Sequence, residues 1–167
     1  NSNIYILKWE SQKLLDIGNF LLNKVTRYML TRIIMSCVLK SCWATIEILN
    51  LFKDFPWFKA LAATLPTGQK LSKEDIFKNN SDIILLGHSL GARVIYHALE
   101  QFSNNNITVS NVYLFGAAVG KTNLEGEWTK VSSAVKNKLH NFYSSNDYVL
   151  KFLYSIGTGY ISQSAGV

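Results

Sequence analysis

A serine at the apex of a strand–turn–helix corner is the feature that most constrains this chain. The run from Gly87 to Gly91 (GHSLG) follows an apolar stretch, 82–86, and precedes a segment, 92–101, with apolar residues at helical spacing. The stretch predicts a buried parallel strand, and the segment predicts a helix. So tight a turn strains the backbone of Ser89, and it requires small residues two positions before and two positions after that serine. Gly87 and Gly91 meet this requirement.

Such a corner lifts the serine hydroxyl clear of the sheet, beside the first backbone N–H groups of the helix. Because the motif fixes only three positions, an ordinary corner built from small residues is the alternative. The strand before the motif and the helix after it favour a functional corner.

The composition is that of one globular domain covering residues 1–167. Hydrophobic residues make up 48% of the 167 residues and charged residues 17%. The net charge of +6 comes from scattered Lys and Arg, which argues against a nucleic-acid partner. Cys37 and Cys42 lie on different faces of a predicted helix and are interpreted as buried thiols. No signal peptide is visible, and the localisation stays open between a cytoplasmic and a membrane-associated protein.

Predicted strands and helices alternate along the chain, which favours a parallel, doubly wound α/β sheet. A strand over Asn3–Trp9 leads into a long apolar helical insertion at about 11–64, which Pro56 interrupts and Pro66 to Gly68 end. Further strands are predicted at 82–86, 112–115 and 139–143, and helices at 89–102, in part of 124–138 and at 148–154. The remaining residues, 155–167, are predicted to be irregular.

Residues 28–52 form the most apolar part of the insertion. Their only charges are Arg32, Lys40 and Glu47, whose spacing places them near one side of a helix. Such a helix is buried in a core, covers a partner surface or lies on a membrane surface. Its longest uncharged stretch, 33–39, is far shorter than the ~20 apolar residues that span a bilayer.

A serine nucleophile needs a base, an acid that orients the base, and donors for the oxyanion. Ser89 is the candidate nucleophile, and the backbone N–H of Leu90 is a candidate oxyanion donor. Asp147 follows the predicted strand 139–143 and is the candidate acid, because the acid of such a site lies beyond a later strand. Its alternative role is the N-cap of the helix 148–154.

None of the three histidines follows Asp147, although this chain order is the one expected of the base. His88 is predicted to point away from the base position, His97 to lie two turns into its helix, and His140 to begin its strand. All three are interpreted as structural, so the expected base is missing from these residues.

A second motif, Gly116 to Thr122, is similar to a phosphate-binding loop, but it has three residues between its glycines where four are needed. Nucleotide binding is therefore not expected, and neither a cofactor nor a metal is predicted.

Several segments together resemble one branch of the α/β-hydrolase superfamily, the family typified by transmembrane and coiled-coil domain-containing protein four. The segments are 7–11 (LKWES), 55–57 (FPW), 86–96 (LGHSLGARVIY), 111–117 (NVYLFGA) and 141–150 (NFYSSNDYVL). The resemblance covers most of the chain, while residues 12–54 match only in their general helical character and not in their sequence.

The resemblance implies a lipase- or esterase-like serine hydrolase of acyl esters, with membrane association in some members. It implies Ser89 as nucleophile and Asp147 as acid. It also implies an incomplete, middle part of the domain, with a second oxyanion donor before Asn3 and the catalytic histidine beyond Val167. A non-catalytic membrane-associated or interaction protein that retains the fold is the alternative, and an acyltransferase or thioesterase could use the same site.

Overall fold

The computed structural model of the chain describes residues 3–9, 56–121, 127–148, 150, 151, 154 and 163–167. The chain divides into two compact units, Asn1–Ala62 and Ala63–Val167. The sheet and the Ser89 corner belong to the second unit. The predicted apolar helix at 28–52 and both cysteines lie outside the described residues.

The described elements confirm the α/β class. They are, in chain order, α1 (Pro56–Leu71), a short 3₁₀ helix (Asp75–Phe77), β1 (Ile84–His88), α2 (Leu90–Asn104), β2 (Val109–Phe115), α3 (Trp128–Ser132) and β3 (Val135–Phe142). The three strands form one parallel sheet in the order β1-β2-β3. A further helical segment begins at Tyr148.

The register of the sheet aligns the carboxyl ends of all three strands. His88 at the end of β1 pairs with Phe115, and Phe115 pairs with Phe142 at the end of β3. The residues that follow these three positions therefore meet at one edge of the sheet. Among the described residues β1 pairs only with β2, so it is an edge strand of the described sheet.

Helix α2 covers one face of the sheet. Its apolar stripe, which includes Ile95, Leu99 and Phe102, packs into one cluster with Val112 and Leu114 of β2, and each of these side chains is buried. Burial of an aliphatic or aromatic side chain of this size stabilises the fold by roughly 1.5–3 kcal/mol. This packing fixes α2 against the sheet and thereby fixes the turn between β1 and α2.

The opposite face of the sheet remains open in the described part of the chain. Leu86 on β1 is 68% exposed and Phe142 on β3 is 48% exposed. A doubly wound sheet covers both faces. The described residues show this coverage on one face only.

Helix α1 continues through Pro66, whereas the sequence predicted that the helical region ends there. The reason is tertiary packing, because α1 and α2 meet closely at Gly68. A Cβ on Gly68 would lie 2.6 Å from the Cβ of His97 and 2.7 Å from the carbonyl oxygen of Val94. Pro56 is the first residue of α1, a position where proline is well tolerated.

Two further expectations about strands are wrong in part. Residues 3–9 form no strand, and Ile4 and Ile6 are 88% and 81% exposed, because no described strand pairs with this segment. Strand β3 begins at Val135, four residues earlier than predicted, because Lys136 and Lys138 interrupt the apolar run by which the strand was recognised. Charged lysines are common on edge strands, where they hinder pairing with other chains. No helix in the described part of the chain is both long and apolar enough to cross a membrane.

Candidate active site

Ser89 occupies a strained backbone conformation at the turn between β1 and α2. Its φ is 53° and its ψ is −119°, a region that side-chain-bearing residues rarely adopt. Conformations of this kind cost roughly 1–3 kcal/mol and persist only where the surrounding structure enforces them. The serine therefore lies where the sequence predicted it, with the predicted strain.

Hydrogen bonds from the loop after β2 hold this conformation. The N–H of Ser89 donates to the carbonyl of Phe115 over 2.9 Å, and the Ser89 carbonyl accepts from the N–H of Ala118 over 3.3 Å. Arg93, in the first turn of α2, donates from Nη1 to the carbonyl of Ala118 over 3.0 Å. The turn is thus tied to the neighbouring strand exit on both sides of the serine.

The two glycines of the motif differ in their surroundings. A Cβ on Gly87 would lie 2.7 Å from Cδ1 of Ile95 and 2.9 Å from Cα of Ala92, so this position must be small. A Cβ on Gly91 would meet no atom within 4 Å. The expectation that crowding excludes a side chain is therefore right for Gly87 and wrong for Gly91, which borders open space.

Leu90 is the first residue of α2, so its N–H group has no acceptor within the helix. Such a group, next to the serine and at the positive end of the helix dipole, is suited to an oxyanion. The assignment of Leu90 as an oxyanion donor stays a prediction.

The two carboxylate oxygens of Asp147 have different surroundings. Oδ1 accepts a hydrogen bond of 2.8 Å from the N–H of Leu150, which makes Asp147 the N-cap of the helical segment that begins at Tyr148. Oδ2 is directed to the loop after β2, where a Cβ on Gly116 would lie 3.7 Å from it. The capping role and a catalytic role are therefore compatible, because each uses a different oxygen.

Ser89 and Asp147 lie at the same edge of the sheet. Ser89 follows β1, Gly116 follows β2, and Asp147 lies in the loop after β3. Adjacent strands are about 4.8 Å apart, so the ends of β1 and β3 are separated by about 10 Å. The sequence interpretation also expects the side chains of Ser89 and Asp147 to lie near enough for one imidazole to fit between them, and this stays a prediction.

The three histidines have different surroundings. His97 on α2 pairs through Nδ1 with Oε2 of Glu100 over 2.8 Å, and burial lowers its pKa. His140 stacks on Tyr113 with ring centroids 4.8 Å apart. It lies near the carboxyl end of β3 and not at its beginning, because β3 starts earlier than predicted.

His88, interpreted from the sequence as structural, lies at the end of β1 beside the loop after β2. A Cβ on Gly116 would lie 4.0 Å from its Nε2, so His88 and Asp147 flank the same glycine. The sequence places Gly116 directly after the second predicted strand. Its proximity to His88 follows only from the register of β1 and β2.

Residues 163–167, here called the edge strap, bind the exits of β2 and β3 together. Oγ of Ser164 donates to the carbonyl of Ala117 over 2.6 Å, and the N–H of Ser144 donates to the carbonyl of Gly166 over 3.2 Å. A Cβ on Gly166 would overlap the backbone N of Ala117. The sequence predicted an irregular tail, whereas these five residues support the edge that carries the candidate site.

A cavity of about 460 Å³ adjoins the Asp147 loop, within the usual range for small-ligand sites. It is lined by Ser145, Lys151, Tyr154, Gln163, Ser164 and Val167. No group of three or more His, Cys, Asp or Glu side chains suited to a metal ion occurs among the described residues.

The sequence is similar to several proteins of fungi and plants. An uncharacterised membrane protein of Schizosaccharomyces pombe is 31% identical over 99% of this chain and 23% of its own length. The transmembrane and coiled-coil domain-containing protein STS1 of Oryza sativa is 29% identical over 90% of this chain and 25% of its own length. The probable lipase MIL1 of Saccharomyces cerevisiae is 28% identical over 99% of this chain and 16% of its own length.

The chain thus spans a quarter or less of the length of these three relatives. No solved structure matches it. A family model described as a protein of unknown function, DUF726, matches residues 1–167. Since this match covers the whole chain, the chain belongs to the DUF726 family.

Proposed function

We propose that the protein containing this chain is a serine hydrolase of the α/β-hydrolase type that acts on acyl esters. The observation that carries the proposal is the backbone of Ser89, with its φ of 53° at a turn between a parallel strand and a helix. Strain of this kind clusters at functional sites, and the strand–turn–helix context is the one that the motif requires.

In this proposal Oγ of Ser89 attacks the acyl carbon of the ester, and a histidine takes the hydroxyl proton. That histidine belongs to the part of the full-length protein outside these 167 residues. The alcohol leaves with the proton, and water then hydrolyses the acyl-enzyme by the same route. The N–H of Leu90 stabilises the oxyanion, and the cavity beside the Asp147 loop is the candidate site for part of the substrate.

Asp147 is the acid that orients the base. Its Oδ1 caps the next helical segment, which fixes the carboxylate, and its Oδ2 remains directed to the site. Among the relatives, the name "probable lipase" of MIL1 supports an ester substrate.

Labelling with a fluorophosphonate probe tests the proposal in the full-length protein. Wild type should be labelled, and Ser89→Ala should not. Ser132→Ala is the matched control, because Ser132 ends α3 just before β3 and therefore lies at the opposite edge of the sheet. Hydrolysis of p-nitrophenyl butyrate should follow the same pattern.

The same measurements on residues 1–167 alone test the missing base. General-base assistance contributes roughly 10²–10⁴-fold, so this chain alone should turn over the ester at least 100-fold more slowly. If folded full-length protein neither reacts with the probe nor hydrolyses short acyl esters, the enzyme proposal is wrong. The non-catalytic alternative would then be favoured.

Association with a membrane surface through residues 28–52 is the second part of the proposal. Two relatives carry a membrane or transmembrane description in their names. Flotation with liposomes should recover the protein, and acidic lipids should strengthen the binding, since the chain carries a net charge of +6. Recovery that is equal with and without liposomes would contradict this part.

A further inference from the structure

His88 and Asp147 both lie beside Gly116, the glycine that follows β2. The Cβ position of Gly116 lies 4.0 Å from Nε2 of His88 and 3.7 Å from Oδ2 of Asp147. Gly116 has a φ of +52°, a conformation in which a side chain is strained. Because residue 116 is a glycine, no side chain from this position fills the space beside the imidazole and the carboxylate.

The alternation of β1 determines the direction of His88. Gly87 is turned toward α2, where its Cβ position contacts Ile95 and Ala92, so His88 is turned toward the opposite face. In the described part of the chain that face is open, and the His88 side chain is exposed. No hydrogen bond or ion pair joins its ring to another described residue.

We propose that His88 is a positioning residue for Asp147 in the proposed hydrolysis. Nε2–H of His88 donates to Oδ2 of Asp147, directly after a rotation of the ring or through one water molecule. A carboxylate oxygen accepts two hydrogen bonds, so Oδ2 can also accept from the catalytic base. The carboxylate is then held at Oδ1 by Leu150 and at Oδ2 by His88. This inference rests on the proposed function.

The test compares two side chains of similar length at position 88. Gln retains an N–H donor near the position of Nε2, whereas Met has none. A lost charge-assisted hydrogen bond corresponds to roughly tenfold, so His88→Met should lower kcat for p-nitrophenyl butyrate about tenfold with little change in KM. His88→Gln should remain within about twofold of wild type. Since His88 is exposed, both variants should melt near the wild-type temperature.

His140→Met is the matched control. His140 is on the same face of the sheet, but it stacks on Tyr113 within the strands and not at their exit. Its replacement should leave kcat within about twofold of wild type.

A double-mutant cycle with Asp147→Asn shows whether His88 acts through Asp147. Asn keeps the helix cap but removes the carboxylate. In the Asp147→Asn background, His88→Met should cause no further loss of kcat. If the two substitutions lower kcat independently in the double variant, the proposal is overturned. Equal losses of kcat in His88→Met and His88→Gln, or a wild-type kcat in His88→Met, would overturn it as well.

Imidazole ¹⁵N chemical shifts give a readout that does not depend on turnover. Asp147→Asn should move the resonances of His88 in the folded protein and leave those of His140 unchanged. Unmoved His88 resonances would exclude the contact. If the shifts move but wild-type protein is neither labelled at Ser89 nor active, the proposed function fails, and the positioning role of His88 in hydrolysis fails with it.

Discussion

Gly87 and Gly91 flank the same serine, but they should respond in opposite ways to the addition of one methyl group. In Gly87→Ala the new Cβ would lie 2.9 Å from both Cα and N of Ala92, whereas ordinary contacts begin at 3.4 Å. The end of β1 and the start of α2 must therefore separate by about half an ångström. In Gly91→Ala the methyl group meets nothing within 4 Å.

The magnitudes follow from these contacts. Overpacking of this kind destabilises the fold by roughly 1–3 kcal/mol. Replacing glycine by alanine also lowers the conformational entropy of the unfolded chain, which stabilises the fold by about 0.4–1 kcal/mol. The free energy of unfolding should fall by about 1–2 kcal/mol in Gly87→Ala. In Gly91→Ala, where only the second effect acts, it should rise by about 0.4–1 kcal/mol.

Urea denaturation and calorimetry of both variants measure the difference. For a chain of this size, 1 kcal/mol corresponds to a change in Tm of about 2–4 °C. Displacement of the corner should also slow labelling of Ser89 by the fluorophosphonate about tenfold or more in Gly87→Ala. Equal Tm values for the two variants, or a lower Tm for Gly91→Ala, would refute the packing argument.

Three further predictions concern the edge strap, a half-buried histidine and the helix cap. A Cβ on Gly166 would overlap backbone atoms of Gly116 and Ala117, so Gly166→Ala should displace the strap and accelerate amide exchange at Ala165. Burial lowers the pKa of His97 and the nearby Arg93 lowers it further, and together they outweigh Glu100, which raises it. The unfolded chain therefore binds a proton more readily than the folded chain. The free energy of unfolding should thus fall as the pH drops below about 6.5. Urea titrations at several pH values should show that this free energy depends less on pH in His97→Gln. Thermal melting should show that Asp147→Ala loses about 1 kcal/mol of stability with the cap and that Asp147→Asn loses much less. Both variants should hydrolyse esters more slowly than wild type but still measurably.

The Ser89 corner could be predicted because its signals are local. An apolar run, two glycines and a helical periodicity specify the strand, the turn and the helix within about twenty residues. The elements observed are Ile84–His88 and Leu90–Asn104, within two residues of the predicted ends. The α/β class could be predicted because predicted strands and helices alternate along the chain.

Contacts between distant parts of the chain could not be predicted. The continuation of α1 through Pro66 depends on the close approach of Gly68 to α2, which no local pattern encodes. The position of Oδ2 of Asp147 beside the loop after β2 depends on where β2 and β3 end relative to each other. The proximity of His88 to Asp147 depends on the same register.

The edge strap has a consequence for the order in which the protein is completed during synthesis. Oγ of Ser164 bonds the carbonyl of Ala117 across 47 residues of sequence. Ribosomes add roughly 5–20 residues per second, so several seconds pass between the appearance of these two residues. Strands β1 and β2 and helix α2 can assemble during that interval, but the edge beside Ser89 cannot close. A nascent chain therefore has its sheet before it has its candidate site.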